Sequence, residues 1–285
     1  MQRWLHRAGH GGYDRANVLT EIRAPMSEPT ALRPVHGQHI GTTAFFRNRA
    51  FTAGLIELAK EMAKPGAGLR ILFHSCSVGA EPYSFAMEAQ MSGLYQCFAS
   101  VAIDATDIEP QFLIVAKAGI YGAEALQSAP LAARHFFVPG PSEGTVHIAP
   151  DLAARVNFLP ASSFGTFEPP QPYDIVLALN SLTYVASDQQ QVAIRRMAAY
   201  TRRLLCVTAF DPDIIRQAMD EAGFVPVPRH WRAIYYGWRN RLRLKPARRG
   251  TQKRSWVLPL VPLYIKDRSY KVASIFERKS PHTAP

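Results

Sequence analysis

Cysteine is scarce: the 285-residue chain has three, Cys76, Cys97 and Cys206, far apart and without a CxxC pair. That spacing excludes a disulfide framework and a cysteine zinc site, and makes a reducing compartment the natural setting. Also missing is any apolar run long enough to cross a bilayer, or an apolar stretch behind the charged opening MQRWLHRAGHGGYDR that would make a secretory leader. These absences predict a cytoplasmic protein with no membrane span. The nine histidines, His36 and His39 among them, follow no metal-ligand pattern, so no metal is expected. Acidic residues are outnumbered, 22 against 33 Lys and Arg, for a net charge of +11. The imbalance is local. Between Arg229 and Arg254 stand ten Lys and Arg and no acid, interleaved with Trp231, Tyr235, Tyr236 and Trp238. Such a mixture attracts phosphates and stacks bases, so a nucleic acid or other anionic partner is one expectation for this segment; a solvated basic hairpin is the other.

At 47% hydrophobic the chain can bury one large core. Residues 1–40 show weak periodicity and read as an extension, 41–280 as the main domain, 229–256 as its basic aromatic segment and 281–285 as a tail. From Ala50 to Lys64, Phe51, Leu55, Leu58 and Met62 recur at helical spacing until Pro65-Gly66 stops the run. Leu69–His74, Val101–Ala105, Asp174–Leu179 and Leu204–Thr208 are short apolar runs suited to buried strands, with helical patterns at Tyr83–Met87, Glu109–Ala118 and Gln189–Tyr200 between them. Asp211-Pro212 opens a further helix with Ile214, Ile215, Ala218, Met219 and Ala222 on one face and Gly223 as its stop. Tyr270–Phe276 alternates like a strand. Residues 129–159 interrupt the alternation with strand-like pieces at Thr145–Ile148 and Arg155–Phe158, and read as a small inserted β element. The order predicts an α/β domain, a mostly parallel sheet with helices on both faces.

In such a sheet a ligand lies beyond the carboxyl ends of the strands. The turn Ser75–Glu81 after the first strand is built of small residues, Gly79 among them, which lets a ligand approach the backbone, although it lacks the GxGxxG spacing. Asp107, after the second strand, has the acceptors to hold a ribose diol; capping the next helix is the competing role.

Thr43-Ala44-Phe45-Phe46-Arg47, Gly79-Ala80-Glu81-Pro82-Tyr83-Ser84, Ala105-Thr106-Asp107-Ile108 and Ala116–Tyr121, followed by His135-Phe136-Phe137 and Tyr173-Asp174-Ile175-Val176 with Asn180 and Tyr184, stand in one order along residues 41–186. Together they resemble the successive signatures of the chemotaxis-receptor glutamate methyltransferase (CheR) family. The resemblance implies a Rossmann-like class I fold with a seven-stranded sheet, S-adenosyl-L-methionine as cofactor, and a protein or small-molecule methyl acceptor. It further implies Thr43, Arg47 and Gly79 at the cofactor, Glu81 on its amino-acid end, Asp107 on its ribose, Ser162 and Ser163 beside adenine, and Asn180 nearby. Arg47 and Tyr184 would be the catalytic pair beside the acceptor. Each residue also has a plain structural role open to it: Glu81 as a first-turn acid, Arg47 as a surface cation, Tyr184 as packed core. Leu179 and Ser162 stand where the family usually has arginine and asparagine, and the family's helical N-terminal domain is not recognisable in residues 1–40. A carboxylate acceptor, another nucleophile, a nucleic acid, and cofactor binding without turnover are the readings this leaves.

Overall fold

The computed structural model of the chain describes residues 43–208, 212–235, 237 and 274–279. The expected extension, tail, Asp211 cap, Tyr270–Ala273 and most of the basic aromatic segment lie outside these.

The elements follow one another as α1 (Arg49–Glu61), β1 (Gly68–His74), α2 (Ala80–Ser92), β2 (Ser100–Thr106), α3 (Pro110–Ala118), β3 (Ile120–Gly122), α4 (Ala125–Ser128), β4 (Phe137–Pro139) and β5 (Thr145–Ile148). Then come α5 (Pro150–Ala153), β6 (Val156–Phe158), β7 (Tyr173–Ala178), α6 (Ser187–Ala199), β8 (Thr201–Val207), α7 (Pro212–Glu221), β9 (Phe224–Pro226) and β10 (Ile275–Arg278). Seven strands form the main sheet in the order β6-β2-β1-β7-β8-β10-β9. The ladders from β6 across to β8 are parallel, whereas β10 runs antiparallel to both its neighbours.

The strands are apolar because both their faces are covered. Side chains alternate across a pleated strand, and the core divides accordingly. Ile71, Phe73, Ile175, Leu177, Leu204 and Cys206 face one cluster with Phe51, Leu55 and Phe85 of α1 and α2. Leu72, Val176, Ala178, Leu205 and Val207 face the other, with Ala193, Ile194 and Met197 of α6 and Ile215, Ala218 and Met219 of α7. Arg278 ties the antiparallel edge to the helices: its guanidinium donates to the carbonyls of Ala198, Thr201 and Ala222 and lies 4.5 Å from the Phe224 ring centroid. Among the described residues no helix is long and apolar enough to cross a membrane.

The inserted β element has different bounds from those the sequence suggests. The small sheet, β3-β5-β4, begins at Ile120 and ends at Ile148. Val156–Phe158 is the outer strand of the main sheet, parallel to β2. Three residues are too few to carry a period; what places them is tertiary. Val156 and Phe158 are buried, and Asn157 Nδ2 donates to Asp104 Oδ1 at 2.7 Å, which fixes the register between the two strands.

Candidate functional site

The carboxyl edge of the sheet holds most of the strained backbone. Phe46, Ser75, Ser77 and Asn180 have positive φ of 51°, 72°, 51° and 56°. Non-glycine residues rarely adopt such angles, and they persist where surrounding bonds fix them. Those bonds are visible. Ser75 N and Cys76 N both donate to Thr106 O at 2.9 and 3.0 Å, binding the loop after β1 to the end of β2. Phe46 N donates to Ser84 Oγ at 2.9 Å and that hydroxyl donates to Ala80 O at 2.6 Å, so the segment before α1 is held on the first turn of α2. Asn180 N donates to Thr208 Oγ1 at 2.8 Å across the ends of β7 and β8.

Asp107 is 6% exposed and joins two loops. Its Oδ2 accepts from Ser77 N at 2.8 Å and its Oδ1 from Glu109 N at 3.1 Å. It therefore caps the approach to α3 and braces the β1 loop at once, and its own carbonyl accepts from Ser162 N at 2.9 Å. An ionised carboxylate has about four lone-pair sites, so these bonds leave the chemistry of a diol acceptor intact. Glu81, in the first turn of α2, lies 3.5 Å from Arg47 Nη1. The helix dipole favours an acid there and the guanidinium neutralises it. Between the two acids sits Cys76. Burial first, then the charges of Asp107 and Glu81, push its thiol well above the ordinary range, so it stays protonated and is no nucleophile.

Gly79 is needed for shape. Its φ is +87°, and a Cβ would come within 3.0 Å of Ala116 Cβ and 3.1 Å of Phe158 Cζ. The loop can thus turn into α2 while lying tight against α3 and β6. The tyrosines of the neighbouring motifs are pegs: Tyr83 Oη donates to Ala116 O at 2.9 Å and Tyr121 Oη to Val78 O at 2.7 Å. Phe45 packs edge-on to Tyr121 and Phe137, with centroids 4.8 and 5.1 Å away, fastening the segment before α1 to the small sheet.

Of the residues singled out from the sequence, Thr43, Arg47, Gly79, Glu81, Asp107 and Asn180 come to this one edge. Ser162 joins it through its backbone; its hydroxyl faces Thr166 Oγ1 at 3.3 Å. The Ser163 hydroxyl serves its own turn, 3.0 Å from Thr166 Oγ1 and accepting from Gly165 N at 3.2 Å. Tyr184 is half-buried in the turn Leu182–Tyr184 beyond Asn180. Leu179 lines a cavity with Phe46, Arg47, Phe51, Glu81 and Leu177, so the surroundings of Arg47 are largely apolar.

Ser77, Ser84, Ser181 and Thr208 belong to the same edge and are not singled out by the sequence. Ser84 lies within one of the motifs and Ser77 within the small-residue turn, but Ser181 and Thr208 carry no local signal; the partners of the four are 28 to 38 residues away or absent among the described residues. Absence is informative here. Among the described residues, Thr43 Oγ1, Ser77 Oγ, Asn180 Nδ2 and Ser181 Oγ are buried with no hydrogen-bond partner. Buried polar atoms are nearly always paired, so a cluster of orphans marks where a polar ligand belongs. With two carboxylates beside them, this donor and acceptor set fits the hydroxyls and amino-acid end of S-adenosyl-L-methionine.

The strand order, with its antiparallel penultimate strand and a ligand edge at the carboxyl ends of β1, β2 and β7, defines a Rossmann-like class I methyltransferase fold. The chain belongs to the family of the CheR methyltransferase SAM-binding domain, whose model matches residues 41–204. The chemotaxis protein methyltransferase of Klebsiella aerogenes is 34% identical over 158 residues, 54% of this chain and 53% of that protein. The chemotaxis protein methyltransferase of Escherichia coli K12 is 32% identical over 164 residues, 54% of each. The chain thus spans about half the length of these relatives. Among solved structures, a Synechocystis magnesium protoporphyrin IX methyltransferase with bound SAM has a TM-score of 0.39 and 16% identity, covering 62% of this chain and 69% of that one.

Proposed function

We propose that the protein is a CheR-type methyltransferase of the cytoplasm that transfers the methyl group of S-adenosyl-L-methionine to a carboxylate of a protein or small molecule. The observation that carries this reading is the set of partnerless buried atoms, Thr43 Oγ1, Ser77 Oγ, Asn180 Nδ2 and Ser181 Oγ, at an edge flanked by Glu81 and Asp107. When bound, the sulfonium supplies an electrophilic methyl carbon, so the protein's task is alignment and removal of water. Asp107 holds the ribose hydroxyls, Glu81 and Thr43 the amino-acid end, and the backbone around Ser162 and Ser163 borders the adenine. A carboxylate acceptor is already ionised near neutral pH and needs no strong base. Arg47, 22% exposed in its side chain and 3.5 Å from Glu81, holds the acceptor oxygen in this reading, and Tyr184 orients it. The relatives' name, chemotaxis protein methyltransferase, supports a protein acceptor; Leu179 favours an acceptor with an apolar neighbour.

A second reading, methylation of nucleic acid through the basic segment, draws on the ten cations between Arg229 and Arg254. Two of them are already engaged: Arg229 pairs with Glu61 and Arg232 lies 5.3 Å from the Trp231 ring centroid. Incubation with methyl-labelled cofactor and lysate, followed by separation into protein, nucleic acid and small molecules, tests both. Alkali-labile label on protein or small molecules is the expected result; label confined to nucleic acid supports the second reading. Binding of cofactor with label in no fraction contradicts both. Arg47→Ala should lose most transfer while melting at the native temperature, as a partly exposed ion pair contributes only about 0–1 kcal/mol. A large drop in melting temperature would return Arg47 to a structural role.

A further inference from the structure

The chain after β9 turns back along α1. Arg229 pairs with Glu61 at the carboxyl end of that helix, and His230 Nε2 lies 3.1 Å from Glu57 Oε2 one turn earlier. The His230 side chain sits so close to Gly54 that a Cβ there would meet it at 3.1 Å. A helical turn, 231–235, follows, and its Ile234, 2% exposed, joins Val227 in the core cluster that holds Phe51 and Leu55 of α1. By Ile234 the segment has reached the amino end of α1, where Asn48 meets it.

Asn48 is 7% exposed and its side chain works in two directions. Its Oδ1 accepts from Phe51 N at 3.1 Å, which caps α1, and its Nδ2 donates to Ile234 O at 3.2 Å. The cap fixes which way the amide faces, because a backbone N–H can be met only by the oxygen. Serine and aspartate cap a helix as well as asparagine does. Serine, however, is too short to reach across to Ile234, and aspartate has no N–H to donate. Gly237 closes the contact: a Cβ on it would stand 2.6 Å from Asn48 Oδ1.

Arg47 stands between two such fixtures. On one side Phe46, with φ 51°, is held through its N–H on Ser84 Oγ; on the other, Asn48 caps α1 and grips the turn 231–235. Arg47 and Asn48 line the same cavity, together with Phe51 and Leu179. We propose that Asn48 is a positioning residue for Arg47, holding the guanidinium on the acceptor by way of the docked turn 231–235, an inference that rests on the assignment of Arg47 to the acceptor above. The stretch 229–235 is then part of the transfer machinery as well as the root of the basic segment. Misplacing a group that aligns a reactant by about 1 Å costs on the order of a hundredfold in rate. A loosened Asn48 therefore shows in the transfer step before it shows in cofactor affinity.

Two variants loosen this contact without altering a residue assigned to cofactor or acceptor. Asn48→Ser keeps a cap and loses the reach to Ile234 O; Gly237→Ala leaves Asn48 in the chain and crowds its oxygen. The rate of alkali-labile methyl transfer from labelled S-adenosyl-L-methionine to lysate is measured over a range of cofactor concentrations, with calorimetry of S-adenosylhomocysteine and a thermal melt on each protein. The expected result is a rate at saturating cofactor about tenfold below wild type, with KM for S-adenosyl-L-methionine and Kd for S-adenosylhomocysteine within about twofold and melting well above the assay temperature. An unchanged rate in either variant overturns the proposal. So does a rate that falls only in step with S-adenosylhomocysteine affinity or with unfolding, because Asn48 would then hold the fold and not Arg47. Wild-type protein that binds S-adenosylhomocysteine and transfers nothing, or Arg47→Ala that transfers at the full rate, means that the acceptor reading itself has failed.

Discussion

A few side chains decide whether the edge of this sheet can hold a nucleoside. Asp107 spans two loops with its two oxygens, so its replacement has two effects. Asp107→Ala should weaken S-adenosylhomocysteine by more than tenfold, and it should also destabilise the chain by about 2 kcal/mol, since two buried N–H groups lose their acceptors. Glu81→Ala should weaken the ligand with little change in stability, because its ion pair is with the part-exposed Arg47. Calorimetry and thermal melts on both variants check the pair. Unaltered affinity in both would remove these residues from the site. Gly79 makes the opposite forecast. With φ +87° and Ala116 Cβ 3.0 Å from where a methyl would sit, Gly79→Ala should cost about 2 kcal/mol or more in urea unfolding, from left-handed strain plus the contact. The sequence motif signals that Gly79 matters. It does not say that Gly79 packs against α3 and β6, because Ala116 and Phe158 lie 37 and 79 positions further along the chain.

Among the elements, legibility follows burial and length. β1, β7 and β8 are read from sequence as continuous apolar runs because both faces are covered, and α7 because Ile215, Ala218 and Met219 share one buried stripe. Gly223, with φ 74°, ends that helix as its position suggests. Of the three-residue strands, β3 and β4 are not legible, and β6 is read as a strand-like piece but placed in the inserted element rather than the main sheet. Their pairing depends on partners such as Asp104 and Asn157, 53 residues apart. The end of β1 carries a consequence for acid stability. His74 is 2% exposed, with Nδ1 2.9 Å from Tyr200 Oη and its ring against Phe164 and Phe167. Burial pushes it down from 6.5 to about 3, partly opposed by a backbone hydrogen bond with Ser162. In the unfolded chain it takes up a proton below pH 6.5 while the folded chain does not until about pH 3. Stability should therefore fall as pH falls through that window, by about 1.4 kcal/mol per pH unit from this one group. His74→Gln should flatten the acid limb of urea-unfolding free energy against pH by that amount. An identical slope in the variant would mean that His74 is protonated in the fold.

For the whole molecule, two apolar clusters lie on either side of one sheet, and the residues proposed for chemistry lie in the loops at its carboxyl edge and in the first turn of α2. The family signatures fall on loops, strands and helix turns alike: Gly79 to Ser84 enters α2, Ala105 to Ile108 leaves β2, and Tyr173 to Val176 lies in β7. What sequence leaves out is Ser181, and the partnerless state of the side chains of Thr43, Ser77 and Asn180, which acquires meaning only when the edge is assembled. The formal charge of +11 is carried chiefly by residues other than those described. A crystal structure with S-adenosylhomocysteine tests the central claim most directly. The expected density runs along the carboxyl edge, with both ribose hydroxyls within hydrogen-bond distance of Asp107 and the homocysteine end between Thr43 and Glu81. Density at any other place on the molecule, with that edge holding only solvent, would contradict it.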